Sequence, residues 1–185
     1  MTITRISLPL FVFISLVGCA FGAETESMIA PGSPLEGGRI SGALEDQVGV
    51  TTVTGGTDTY MMWTSEISDE AFQGALIESL RTRKLYSADG RFELTAHIEE
   101  VDQPLVGFDF DVTTRIHYEL RDRETDVVLL DEVVVATGTA TTDDSLWGTK
   151  RLRLANEKSA KRNLQSLFEA LARLDVDTVG IAVTE

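Results

Sequence analysis

Apolar residues recur along this chain in two rhythms, and the changes of rhythm mark its elements. Residues 48–53 are β-branched and half apolar, which predicts a first strand. Gly55-Gly56-Thr57-Asp58-Thr59 breaks it, and Tyr60-Met61-Met62-Trp63 forms an apolar cluster beyond the break. From residue 68 the rhythm becomes helical. Ser68 is a natural N-cap, Asp69 and Glu70 suit the positive end of a helix dipole, and Phe72, Ala75, Leu76, Ser79 and Leu80 make one stripe. Arg81, Arg83 and Lys84 close that helix at its negative end.

A period of two then takes over. Over residues 91–101, Phe92, Leu94, Ala96 and Ile98 take one face, and Glu93, Thr95, His97 and Glu99 the other. Asp102-Gln103-Pro104 predicts a turn. Residues 106–120 alternate again, with Phe108, Phe110, Val112, Ile116, Tyr118 and Leu120 inward. A third strand of this meander is expected over 127–137, with Asp131-Glu132 breaking its alternation at a bulge. Each strand has one wet face, as an antiparallel sheet covered on one side requires. A polar loop over 138–148 carries Trp147. A last helix is expected over 152–174, striped by Ala160, Leu164, Leu167, Phe168, Leu171 and Leu174. The predicted fold class is α+β: a two-layer sandwich of order β-α-β-β-β-α. Two helices lie on one face of a mostly antiparallel four-stranded sheet.

The first 18 residues read as an address. Arg5 precedes an apolar stretch, residues 6–17, that is long enough for a secretory leader and too short to span a bilayer. Leu16-Val17-Gly18-Cys19 then resembles the bacterial lipobox. A small residue at Gly18 admits the peptidase. Cys19 supplies the thiol for diacylglycerol, and the amine freed by cleavage takes a further acyl chain such as palmitate. Several chains hold where one is marginal. The alternative is an ordinary signal peptide cut after Ala20, since Gly-Cys-Ala also fits a small-x-small site. Ala20 after the cysteine resembles the outer-membrane sorting pattern. The organisation expected is a leader over 1–18, a flexible tether over 19–46, a domain over 47–174 and a tail over 175–185. The tether reading rests on Pro31-Gly32-Ser33-Pro34 and Gly37-Gly38.

Composition narrows the function classes. Cys19 is the one cysteine of the chain, which excludes a disulfide within it and cysteine-based zinc sites. The formal net charge of −14 argues against nucleic acid as a partner, because that affinity rests on neutralising phosphates.

The lipobox, the tether and the element order together resemble small periplasmic lipoproteins of the outer-membrane assembly type. The lipopolysaccharide-assembly lipoprotein and several transport-auxiliary lipoproteins share the two-layer plan. Over residues 50–174, a closer resemblance rests on Trp63-Thr64-Ser65, Phe72, Ala75-Leu76, Ser79-Leu80, Asp102-Gln103-Pro104, Gly107-Phe108-Asp109 and the run Arg151-Leu152-Arg153-Leu154-Ala155-Asn156-Glu157. These look like a proteobacterial envelope family of unknown role, whose members are sometimes named UDP-N-acetylglucosamine acyltransferases. That name implies hexapeptide repeats and a catalytic histidine. The chain has no such repeats, and neither histidine sits in a matching motif.

No catalytic residue, metal site or cofactor is assigned from the sequence. His97 and His117 both fall on polar strand faces. Apolar matching across a turn at 102–107 places His97 near Asp111 or Thr113 and His117 near Arg91 or Glu93, so the two histidines are not expected to meet. A His97–Asp111 dyad or a surface pair are both open. Asp109 and Asp111, with Glu99 and Glu100, offer carboxylates to Ca²⁺ or are simply solvated. Gly55-Gly56-Thr57 makes either an anion nest or a plain turn. Lys150, Arg151, Arg153, Lys158, Lys161 and Arg162 crowd the start of a helix, where the dipole disfavours cations. They suit an anionic headgroup or acidic partner, or pair within the molecule. Trp63 and Trp147 lie in loops, as caps on the sheet or as binding anchors. The function expected is a lipid-anchored outer-membrane lipoprotein facing the periplasm. It would act as a non-catalytic binding or assembly accessory for an envelope protein or amphipathic lipid. The alternative is an enzyme on an envelope glycan or lipid.

Overall fold

The computed structural model describes residues 22–57, 65–104 and 106–176. A short helix α1 (Thr25–Met28) precedes a single 3₁₀ turn (Gly42–Leu44). Then come β1 (Val48–Thr54), α2 (Asp69–Thr82), β2 (Phe92–Asp102), β3 (Phe110–Asp122), β4 (Val128–Ala140) and α3 (Gly148–Arg173). The expected α+β order is present. Ser68 caps α2 through its side-chain oxygen, which accepts from the Ala71 N–H at 3.2 Å.

The sheet runs β1-β2-β3-β4. β1 lies parallel to β2, so α2 serves as the crossover between them; β2, β3 and β4 form an antiparallel meander. β3 alternates buried and accessible residues along its whole length. Its inward residues Ile116, Tyr118 and Leu120 meet Leu164, Leu167, Phe168 and Leu171 of α3 in the main core, while Phe110 and Val112 pack with Ala140, Leu152 and Ala155 in a smaller second cluster at the start of α3. Fully burying such side chains contributes about 1.5–3 kcal/mol each. The opposite face of the sheet is open to water.

A polar knot sits inside this core. Asn163 Nδ2 donates to the Val134 carbonyl at 3.0 Å and to Thr114 Oγ1 at 3.2 Å, while its Oδ1 accepts from the Tyr118 hydroxyl at 2.8 Å. Ser159 joins through Thr114 at 2.9 Å. Burial pushes the Tyr118 phenol well above its ordinary pKa. Next to the knot, α3 crosses β4 at Gly138, where the backbones of Ser159 and Ala155 leave no room for a side chain.

Three expectations are corrected. Residues 22–46 do not hang free. They run as a strap along the groove between α2 and α3, with Met28, Ala30 and Leu44 fully buried. The strap is fastened by Thr25 Oγ1 to the Ala71 carbonyl, by the Ala30 N–H to Ser79 Oγ at 2.9 Å, and by Arg83 to the carbonyls of Pro31 and Ser33. Glu169 then receives the N–H groups of Glu36 and Gly37 at 2.8 and 2.7 Å. These two bonds, the one from the Gly37 N–H foremost, hold the Glu169 carboxyl below its usual range.

The second correction is register. His97 stands directly opposite His117, not near Asp111. The turn between β2 and β3 is a wider loop, 103–109, and β3 starts at Phe110. Phe108, expected inward, is therefore exposed. An even slip of register keeps every side chain on its face, so apolar matching alone does not choose between the two pairings.

The third concerns β4, which extends to Ala140 and irregularly shifts opposite Leu120 and Arg121 rather than at Asp131-Glu132. Glu132 keeps its inward position at the sheet edge and faces Arg173 at 3.8 Å.

Candidate functional site

One end of the molecule gathers the ends of β1, β2 and β4 with the starts of β3, α2 and α3. Two loops project there, 103–109 and 141–147. They carry Val106, Phe108, Leu146 and Trp147, exposed at 86, 84, 86 and 77%. Large apolar side chains this exposed, on adjoining loops, form an apolar rim at this end, a feature more typical of interaction surfaces than of inert ones.

Arg151 braces the two loops. Its Nη1 donates to the Ser145 carbonyl at 2.8 Å, and its Nη2 to the Gly107 carbonyl at 3.3 Å. Its guanidinium lies over the Phe110 ring, 5.2 Å from the centroid. Arg151 is buried, so the reading of it as a free contact for an anionic partner is corrected: it shapes the rim from behind. The rest of the basic cluster is largely drawn inward too. Arg153 reaches Glu24 at 2.7 Å and Glu157 at 3.5 Å, Lys158 reaches Asp144 at 2.9 Å, and Arg162 donates to the Thr137 carbonyl. Lys150 stays exposed beside Trp147. The dipole penalty at this helix start is offset by acids brought from elsewhere in the chain.

The strap begins at the same end. The Ala23 N–H donates to the Glu66 carbonyl at 3.0 Å, and the Glu24 N–H to Glu157 Oε1 at 3.1 Å. Glu66 in turn accepts from Gln103 Nε2 at 3.0 Å, at the foot of the 103–109 loop. Burial raises the pKa of both carboxyls, Glu157 and Glu66. Cys19 and Trp63, both singled out in the sequence, lie outside the described residues.

The open sheet face holds the other candidates. His97 Nδ1 shares a hydrogen bond with Thr54 Oγ1 at 2.9 Å, and His117 Nε2 with Asp131 Oδ1 at 2.6 Å. The two residues are cross-strand neighbours, a pairing that alternation along the strands does not fix. Asp111 is engaged by Thr139 Oγ1 at 2.6 Å, so the His97–Asp111 dyad does not form. Asp109 is exposed in its loop, and among the described residues no group of three His, Cys, Asp or Glu side chains is placed to hold a metal ion. At Gly55-Gly56-Thr57 the Gly56 N–H is taken by Asp69 Oδ1 at 2.6 Å and the Thr57 N–H by the Ile67 carbonyl. That segment is a turn locking the start of α2, not an anion nest. At the opposite end, a shallow cleft between residues 32–45 and Thr82–Leu85 is formed by the strap and the exit of α2.

No family model and no curated protein matches this chain. Solved structures show similarity to it. A Xanthomonas campestris protein, XCC0632 of the DUF330 family, is 9% identical, with 78% of this chain and 90% of that one covered at a TM-score of 0.54. Hypothetical protein CT253 from Chlamydia trachomatis is 12% identical over 69% of this chain and 98% of its own, at a TM-score of 0.49. A structure named "putative lipoprotein" from Caulobacter crescentus is 12% identical over 70 and 90%, at 0.47. The chain is thus similar in fold to the DUF330 protein, at an identity that speaks to architecture alone.

Proposed function

We propose that this chain is a lipoprotein held by acylated Cys19 on the periplasmic face of the outer membrane. There it serves as a non-catalytic binding or assembly accessory. The observation that carries this reading is the apolar rim: Val106, Phe108, Leu146 and Trp147 are presented outward on two loops that a buried arginine holds together. A brace of this kind pre-organises a contact surface, which reduces the ordering cost of binding. The leader and its lipobox supply the address. The two histidines sit on a solvated sheet face, each engaged by a neighbouring side chain, whereas proton-transfer chemistry gains most in a water-excluded site.

The test is Cys19→Ala in the producing bacterium. The wild-type chain should fractionate with outer membranes and yield an N-terminal peptide bearing acyl mass. The variant should fold and appear in the soluble periplasmic fraction. A wild-type N-terminus starting after Ala20, or an unchanged distribution of the variant, overturns the anchor.

A further inference from the structure

We infer that the apolar rim docks into the same lipid surface that holds the chain's own N-terminus, so that the domain lies against the bilayer in one orientation. This deepens, and rests on, the lipid-anchor reading. Three observations converge. First, the rim exposes four large apolar side chains at a single end of the fold. Second, the described chain begins at that end: Ala23 is tied to Glu66, and Glu24 to Arg153 and Glu157. Third, the intervening chain is short. Four Cα steps separate Ala23 from Cys19, so the sulfur-bearing residue lies within about 14 Å of Ala23 at full extension. Arg153, which grips Glu24, sits only about 7–8 Å along the axis from the start of α3, where Trp147 caps the helix.

The anchor and the rim therefore share one end, and the fastened strap leaves no length for the domain to stand off. Acyl chains entering a bilayer from Cys19 carry that end to the interface. There Trp147 presents an amphipathic ring of the kind enriched at membrane boundaries, with Lys150 exposed beside it. Asp109 and Asp143 flank the rim, so the surface it suits is zwitterionic rather than anionic. The open sheet face, with His97 and His117, would then stand roughly upright from the membrane and stay free.

The experiment uses the full mature lipidated chain in phosphatidylcholine vesicles. The chain has two tryptophans, so Trp63→Phe leaves Trp147 as the reporter. Brominated phosphatidylcholine should quench Trp147 at least twofold with a blue shift. Replacing Val106, Phe108 and Leu146 by Ser should halve that quenching while the acylated chain still co-sediments. If Trp63→Phe unfolds, the same signal is read as the wild type minus Trp147→Phe. Anchored chains whose Trp147 is unquenched overturn the docking alone. A Trp147 that is blue-shifted and unquenched, in a chain that crosslinks as a dimer, also overturns it and gives the rim to a second copy. An N-terminal peptide without acyl mass overturns the anchor, and the docking with it.

Discussion

Replacing Met28 by Ala separates a fastened strap from a free tether. Met28 is fully buried, between α2 and α3, in a segment whose composition reads as linker. In a tether its side chain would meet only water, and the substitution would stay within about ±0.5 kcal/mol, like other surface changes. In the strap it removes a thioether chain from a packed groove and leaves a cavity, which costs about 2–5 kcal/mol. Taking about 3 kcal/mol, the thermal midpoint of a domain this size should fall by about 6–12 °C. In urea the midpoint should move by about 1–2 M. The assay is equilibrium unfolding by far-ultraviolet circular dichroism on the Cys19→Ser chain, with exposed Ser33→Ala in the same segment as the control. A Met28→Ala midpoint indistinguishable from the control would refute the strap. It would also restore the long leash and remove the short-reach argument for docking.

Other perturbations probe the core and its charges. Asn163→Ala orphans the buried Tyr118 hydroxyl and should cost about 3 kcal/mol. Tyr118→Phe should cost about 1–2, and the double variant less than the sum, read from a double-mutant cycle in urea. Gly138→Ala forces a methyl into the α3 backbone and should cost more than about 2 kcal/mol, or prevent folding at 37 °C, seen by circular dichroism. Asp122 is held well below the usual carboxylate range, chiefly by its hydrogen bonds from Arg91 at 2.9 and 2.6 Å. Its contribution is therefore present above about pH 4 and is lost as pH falls through the depressed folded value. Asp122→Asn should flatten that acid limb in a stability-against-pH series. Glu157 has the opposite sign, because burial raises its carboxyl. Ionised, it works against folding; this penalty is full above the raised folded pKa and eases as pH falls through that pKa toward the ordinary carboxylate value. Glu157→Gln keeps an acceptor for the Glu24 N–H and should remove that dependence.

The elements of this fold were legible because each apolar stripe has a period. Phe72 to Leu80 repeats as a helix, and Phe92 to Ile98 and Val112 to Leu120 repeat as strands. The structure places all of them inward. What was not legible has no period of its own. Ala23, Met28, Ala30 and Leu44 are buried singly, at irregular spacings, in a segment with only one helical turn and one 3₁₀ turn, held by bonds to side chains far along the chain. The hint was their presence at all, together with half-buried Leu35 and Ile40, in a stretch otherwise read as linker. Register failed for a related reason. Alternation says which face a residue takes and is blind to even slips, so the His97–His117 pairing had to come from loop width.

The same logic applies at the end that carries the apolar rim. Trp147 is an aromatic residue in a polar loop, and it is exposed rather than packed as a cap on the sheet. Phe108 and Val106 fit the strand pattern in sequence, and the wider loop breaks it. In sequence Arg151 shows only its charge; its place in the fold makes it a brace under two carbonyls. A cation at a helix start is unfavourable alone, yet this one satisfies the exposed ends of two loops and shields Phe110 from water. Arg151→Lys is therefore the sharper test of the rim than any loop substitution. A single ammonium cannot span both carbonyls. Loop order, followed as amide exchange at residues 106–109 and 141–147, should drop while α3 stays protected. Unchanged exchange in both loops would mean that the rim stands without its brace.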